Sequence, residues 1–100
     1  MHINAINTLE VRFAEEPDDS FEQRLAVYRE RFEAEQGCVG FSVSRSQLEP
    51  HLWLLTGHWA NAAQMTEHFH TEGMTELVRE LVEYQASVNF ASFSKVITED

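Results

Sequence analysis

The clearest structural signal in this chain is the segment Ile3-Asn4-Ala5-Ile6-Asn7-Thr8-Leu9-Glu10-Val11-Arg12-Phe13. Its odd-numbered residues are apolar apart from Asn7, and polar residues occupy most of the even-numbered positions. Because successive side chains of a strand point to opposite faces of a sheet, this alternation predicts a half-buried β-strand over residues 3–13. Asn7 then lies in the middle of the apolar face, where burial of an amide is costly unless its hydrogen bonds are satisfied.

Two downstream segments carry helical signals. Ser20 and Gln23 form a capping-box pattern, which predicts a helix that begins there and ends near Gly37. Asn61 is predicted to cap a second helical region, which Gly73 interrupts and which continues beyond it as a strong apolar stripe.

Alternation returns over residues 39–44, 51–59 and 87–97, which predicts three further strands. The resulting order is β-α-β-β-α-β, the arrangement of a ferredoxin-like α+β fold. We therefore expect an antiparallel four-stranded sheet with helices on one face, built from a single domain over residues 1–100.

Apolar residues occur on both faces of the predicted strands. Leu52 and Leu54 point to one side of the third strand, while Trp53, Leu55 and Trp59 point to the other. Since the helices cover one face of the sheet, the other face also needs a cover. A second copy of the chain is the simplest one, so we predict a homodimer whose two sheets close into a shared barrel-like core.

The composition excludes several classes of partner. The chain has 100 residues and a net charge of -10, with 17 acidic residues against 7 Lys and Arg residues. Nucleic-acid backbones and anionic membrane surfaces both attract basic faces, so neither is an expected partner. A hydrophobic content of 43% is sufficient for one packed core.

Targeting and redox signals favour a cytoplasmic protein. Cys38 is the sole cysteine, which excludes an intramolecular disulfide and fits a reducing compartment. The first residues lack the basic start and apolar run of a signal peptide, and no stretch approaches the roughly 18 apolar residues of a membrane-spanning helix.

His68 and Asn7 are the candidate functional residues. His68 lies at the edge of the inward-facing helical stripe, where an imidazole serves either as a general base or as a core residue bonded to a backbone carbonyl. Asn7 either joins neighbouring strands or holds a polar atom of a ligand. A register slip of one residue swaps the two faces of the strand, so the sequence leaves open whether Asn7 or Asn4 faces the pocket. His68 and His70 lie about 200° apart around a helix, so they do not chelate one ion, and no metal site is expected.

Two motifs resemble the antibiotic biosynthesis monooxygenase family. The segment Gln36-Gly37-Cys38-Val39-Gly40-Phe41 is similar to the family's Pro-Gly-x-x-Gly-Phe turn, with Gln36 in place of the proline. The segment from His58-Trp59 to Glu67-His68-Phe69 is similar to its Trp-x-(Asp/Asn/Ser) stretch and the His-hydrophobic pair that follows. The resemblance implies a dimeric α+β barrel with a pocket between sheet and helices in each protomer.

The resemblance also implies a set of possible functions. Family members include cofactor-independent monooxygenases of aromatic polyketides, quinol monooxygenases, haem-degrading enzymes and proteins without known activity. We expect a monooxygenase that needs no metal or organic cofactor and acts on quinol- or polyketide-like aromatics. His68 would accept a phenolic proton and Asn7 would hold the developing oxyanion. The pocket would be lined by Phe41, Trp59, Met65, Phe69, Met74 and Leu81, all of which also suit an ordinary core.

Two alternatives remain open. A dimer that binds a small ligand without catalysis would use the same pocket. In the haem-degrading branch an Asn on the first strand is matched by Asn7, but the branch's Trp falls on His68. Its iron-ligating His falls on Leu77 or Val78, which do not bind iron, so a haem protein would need His68 or His70 as an unusual ligand.

Overall fold

The computed structural model describes residues 2–97, which form a four-stranded antiparallel sheet with helices packed on one face. Both the ferredoxin-like fold and the order of its elements are confirmed, with the second helical region divided into two helices. In chain order the elements are β1 (Ala5–Arg12), α1 (Asp19–Glu33), β2 (Cys38–Arg45), β3 (Leu52–Trp59), α2 (Ala62–Phe69), α3 (Glu72–Glu83) and β4 (Ser87–Ser94).

The sheet order β2-β3-β1-β4 places β1 and β3 in the centre and β2 and β4 at the edges. On β1, burial alternates as the sequence predicts, with the odd-numbered positions turned toward the helices. The main core lies between this face and the helices, and it includes Leu9, Phe21, Phe32 and Trp53. Aromatic side chains, each of which buries a large apolar area, make up nearly half of this core.

The predicted start of α1 is wrong by two residues. Asp18, and not Ser20, caps the helix, since its Oδ1 atom accepts a hydrogen bond from the Phe21 backbone N–H at 3.0 Å. That bond lowers the pKa of Asp18 below its usual value. A carboxylate caps better here because its charge also complements the positive end of the helix dipole. Ser20 lies inside the first turn, and its hydroxyl donates to Asp18.

The predicted helix ends also differ from the structure. The α1 cap is Ala34, whereas Gly37 lies in the following turn with a φ of 86°. The second helical region breaks before Gly73, because the Thr71 hydroxyl caps α3 by accepting from the Met74 backbone N–H. Gly73 lies in the first turn of α3, where a Cβ would come within 2.9 Å of the Phe32 ring.

Three strands are shorter than predicted, β3 by its first residue and β1 and β4 by more. β1 begins at Ala5 and not at Ile3, and β4 ends at Ser94 and not at Ile97. The pairing explains both ends, because Ala5 lies opposite Trp59 and Ser94, the last residues of β3 and β4. The start of β1 and the ends of β3 and β4 therefore lie at the same edge of the sheet.

Candidate functional site

A groove of about 510 Å³ lies beside the edge strand β4, bounded by β1, α2 and α3. It combines aromatic and aliphatic side chains with the amide of Asn7 and the hydroxyl groups of Thr75 and Ser92, whereas Thr8 and its partner Ala91 occupy strand positions that face away from the helices. The lining residues are Asn7, Thr8, Phe69, Met74, Thr75, Val78, Phe90, Ala91 and Ser92. An apolar recess with a few polar groups is the usual form of a site for a small organic molecule.

Asn7 is the buried polar group of this groove. It is only 1% exposed because it lies on the helix-facing side of β1, between β3 and the edge strand β4. Its Oδ1 atom accepts a hydrogen bond of 2.7 Å from the indole N–H of Trp59. An indole nitrogen only donates, so this bond fixes which end of the Asn7 amide is the oxygen. The Nδ2 atom is left as a buried donor without a partner among the described residues.

Gly57 makes the bond between Asn7 and Trp59 possible. It lies opposite Asn7 on β3, and a Cβ at this position would lie 2.3 Å from Asn7 Oδ1 and 2.7 Å from Trp59 Nε1. Any larger residue would therefore displace one of the two bonded groups. The absence of a side chain at this point of a strand is explained by this close approach.

His68 lies behind the groove, in an aromatic cage. The last turn of α2 carries it into the core, where it is 1% exposed and its ring centroid lies 4.7 Å from those of both Trp59 and Phe32. Its Nδ1 atom lies 2.9 Å from Oε1 of Glu35. Because a carboxylate only accepts, Nδ1 carries the proton of this hydrogen bond.

The imidazole of His68 is held in its neutral form. Burial lowers its pKa below the usual value for histidine, although the hydrogen bond and charge of Glu35 act in the opposite direction. With Nδ1 protonated, Nε2 is an unprotonated acceptor, and it has no hydrogen-bond partner within residues 2–97. The expectation of a backbone carbonyl as the partner of a core His68 is replaced by a carboxylate.

Sequence reasoning missed Glu35. It belongs to the turn between α1 and β2, directly before the Gln36-Gly37 pair of the family-like motif. Its contact with His68 spans 33 residues of sequence, so no local periodicity reveals it. The sequence feature that could have pointed to Glu35 is its position directly before that motif.

The structure divides the predicted pocket residues into two groups. Asn7, Phe69 and Met74 line the groove. The other predicted residues belong to the hydrophobic core behind it, with Phe41 and Leu81 in the main cluster and Trp59 and Met65 in a smaller one. His68 also lies outside the lining and reaches Asn7 only through Trp59.

Half of the groove residues that the sequence did not reveal lie on β4. Phe90 lies opposite Leu9 on the helix-facing side of the sheet, and Ser92 lies opposite Asn7. Phe90 is nevertheless 53% exposed, since the helices leave this edge of the sheet partly open. The alternation along β4 predicts which face of the sheet carries Phe90, but it gives no sign that this face lines a groove.

The donor set of the groove does not fit a haem. Val78 lies in the lining and Leu77 in the core, and neither side chain ligates iron. His68 is enclosed by aromatic rings, and His70 is exposed at the end of α2. Across the described part of the chain, no group of three or more His, Cys, Asp or Glu side chains is arranged to hold a metal ion. No helix within residues 2–97 is long and apolar enough to cross a membrane.

Comparison with known proteins gives a family match and several structural neighbours. The family model for antibiotic biosynthesis monooxygenases matches residues 4–80. A search of curated proteins found no significant match.

Solved structures resemble the whole chain. A Deinococcus radiodurans protein described as a candidate antibiotic biosynthesis monooxygenase has a TM-score of 0.83 at 21% identity, covering 96% of both chains. A conserved Methanosarcina mazei protein has a TM-score of 0.77 at 17% identity, covering 93% of this chain and 94% of its own. A candidate monooxygenase of the same description from Nitrosomonas europaea has a TM-score of 0.75 at 13% identity, covering 93% and 99%. At these identities the likeness concerns the fold alone.

Proposed function

This chain belongs to the antibiotic biosynthesis monooxygenase family, and on that premise we propose that it is a cofactor-independent monooxygenase of quinol- or polyketide-like aromatic substrates. The observation that carries the proposal is that Asn7 lines an apolar groove while its Nδ2 donor is buried without a partner among the described residues. A planar aromatic ring suits the space between Phe69 and Phe90, and a carbonyl or phenolate oxygen suits the Asn7 Nδ2 donor.

The unpaired Nδ2 donor of Asn7 favours the deprotonated form of a phenolic substrate. An N–H group stabilises an oxygen anion more than a hydroxyl, and the low polarity of the surroundings strengthens that preference. A phenol bound with its oxygen at Asn7 is therefore acidified, and its anion is electron-rich enough to react with dioxygen. Since Asn7 is 1% exposed, the substrate must reach the floor of the groove to gain this bond.

The reaction balances without a cofactor. For an anthrone, dioxygen places one oxygen atom on the ring methylene carbon, and the other oxygen leaves as water with the two methylene hydrogens. The substrate supplies the electrons and dioxygen accepts them. Because His68 is not among the residues that line the groove, we assign proton acceptance to water at the open side of the groove, and stabilisation of the developing oxyanion to Asn7.

Oxygen uptake with a panel of hydroquinones and anthrones tests this proposal. We expect uptake with at least one member and incorporation of one labelled oxygen atom from ¹⁸O₂. Asn7→Ala should lower kcat/KM by about 100-fold, the usual effect of losing one oxyanion donor. Gln23→Ala removes an exposed amide from α1 and serves as the control, with unchanged activity. Equal activity of Asn7→Ala and wild type would contradict the assignment.

Ligand binding without catalysis is the second candidate. It is favoured by the lining itself, since none of the nine residues that form it is acidic, basic, a cysteine or a tyrosine. In that case the same panel would bind, with affinity reduced in Asn7→Ala, and no oxygen would be consumed. Oxygen uptake by the wild-type protein decides between the two candidates.

We also propose that the functional unit is a homodimer formed through the outer face of the sheet. Pairing places Ile6, Leu54 and Phe93 on the face opposite the helices. Leu54 is 39% and Phe93 is 58% exposed in the isolated chain. A second copy would bury both and close the barrel that the family resemblance implies. Light scattering should give twice 11.6 kDa for the wild type and a lower mass for Phe93→Glu, and a wild-type monomer would refute the dimer.

A further inference from the structure

A continuous chain of contacts joins Glu35 to the groove. The Glu35 carboxylate bonds His68 at 2.9 Å, the His68 ring packs on Trp59 with centroids 4.7 Å apart, and the Trp59 indole N–H bonds Asn7 at 2.7 Å. All three groups that follow Glu35 are buried. Close packing transmits displacement in such an interior, so the position of each group depends on the one before it.

Glu35 is itself held firmly in its turn. Its backbone N–H donates to the Phe32 carbonyl, and its own carbonyl accepts from the Cys38 N–H, both at 3.1 Å. The turn is tied to the β3–α2 connection, since the Gly37 carbonyl accepts from Ala60 N–H at 2.8 Å.

Gly37 allows this turn to approach α2. Its φ of 86° favours glycine, and a Cβ there would lie 1.9 Å from the Gln64 side chain. Gln64 belongs to the first turn of α2, the helix that carries His68. The turn and the helix therefore dock closely enough to bring the Glu35 carboxylate to the His68 ring.

The aromatic cage alone does not fix the orientation of the imidazole. The imidazole contacts the rings of Phe32, Trp59 and Phe69. These contacts are similar in the two orientations of the imidazole that differ by a 180° rotation. The carboxylate of Glu35 distinguishes the two orientations, because it accepts a hydrogen bond from one nitrogen only.

We propose that Glu35 is a positioning residue of the site, which holds the His68 ring against Trp59 so that the indole N–H stays on Asn7 Oδ1 and leaves Nδ2 for a ligand. Glu35 does not line the groove and acts only through His68. The part concerning a ligand rests on the proposed function, while the orientation of Trp59 and Asn7 is a property of the protein alone.

The test compares three variants by NMR and by titration with 1-naphthol, an aromatic phenol. Glu35→Leu removes the acceptor, and Glu35→Gln retains an amide oxygen that accepts from Nδ1. Glu30→Gln changes an exposed charge in the last turns of α1, the helix that precedes the turn of Glu35. In Glu35→Leu we expect the Trp59 indole N–H and Asn7 Nδ2 resonances to shift and the Kd for 1-naphthol to rise about tenfold. In Glu35→Gln the two resonances and the Kd for 1-naphthol should stay near their wild-type values, and in Glu30→Gln they should be unchanged.

The outcomes separate a positioning role from a purely structural one. If Glu35→Leu lowers the melting temperature but leaves the indole and amide resonances in place, the proposal is overturned. Should Glu35→Leu not fold, Glu35→Ala removes the same acceptor and is measured in the same way. If the wild type does not bind 1-naphthol, that aspect of the proposed function fails, and the resonances still decide whether Glu35 positions Trp59.

Discussion

The two tryptophans of β3 are the same residue type on the same face of the same strand, yet they have different surroundings. Both are buried against the helices. The Trp59 indole N–H donates to Asn7, whereas the Trp53 indole nitrogen is buried without a partner in the described structure. Trp53 instead packs edge-on against Phe13, with ring centroids 5.5 Å apart, and lies beneath the Arg45 guanidinium.

The difference originates on the neighbouring strand. Trp53 lies opposite Val11, in the apolar part of β1, while Trp59 lies opposite Ala5, two residues from Asn7. One tryptophan therefore contributes buried area and the other contributes a directed hydrogen bond. One polar residue on a central strand therefore gives one end of the core a directed hydrogen bond beside a groove, while the other end is packed by apolar contacts.

Substitution of Gly57 should disturb the Trp59 end most strongly. In Gly57→Ala the new Cβ would collide with Asn7 Oδ1 and Trp59 Nε1. We expect the free energy of unfolding to fall by about 1–3 kcal/mol, the usual cost of overpacking, together with loss of ligand binding. Denaturant unfolding measures the first effect.

Gly40→Ala is the matched control for Gly57→Ala. A Cβ at Gly40 meets no atom within 4 Å, although this glycine also lies in a strand. Its effect on stability should stay within about 0.5 kcal/mol. Equal losses in the two variants would mean that the contact with Asn7 is not the cause.

Replacing each tryptophan with phenylalanine tests the comparison directly. Trp59→Phe leaves Asn7 Oδ1 buried and unpaired, whereas Trp53→Phe removes no hydrogen bond. We expect Trp59→Phe to cost about 1–2 kcal/mol more than Trp53→Phe in free energy of unfolding. In the Asn7→Leu background this difference should shrink, and a difference that persists there would assign it to packing alone.

The pH dependence of stability gives a smaller effect. Burial lowers the pKa of His68 in the folded chain, so the unfolded chain binds a proton first as the pH falls. The stability that neutral His68 provides is complete above about pH 6.5 and is lost as the pH falls toward the folded-state pKa, by at most about 1.4 kcal/mol per pH unit.

Thermal or denaturant unfolding between about pH 7.5 and 5 measures this slope. His68→Gln should lack it, while His51→Gln changes an exposed histidine and should retain it. Parallel curves for wild type and His68→Gln would show that His68 does not titrate on unfolding in this range.

The sequence specified the fold and favoured Asn7 as the inward residue, but it left Asn4 as an alternative, and the structure buries Asn7. Period-two alternation on β1 specifies a face, because a slip of one residue would bury Glu10 and expose Leu9. The cap at Asn61 was also predictable, since its side chain bonds the Gln64 backbone N–H three residues away. The start of α1 was not predictable in this way, because Asp18 and Ser20 are both suitable cap residues. The structure shows that Asp18 accepts the hydrogen bond from the Phe21 backbone N–H.

The tertiary structure alone decided which predicted residues share a cavity. A helical stripe shows that Met65, His68 and Phe69 face inward, but not that only Phe69 reaches the groove. The Glu35–His68 bond joins residues far apart in sequence, and local patterns carry no information on such contacts. Burial, close approach at glycines and hydrogen-bond pairing depend on the packing of β1, β3 and α2 together, so they emerge only when the chain has folded.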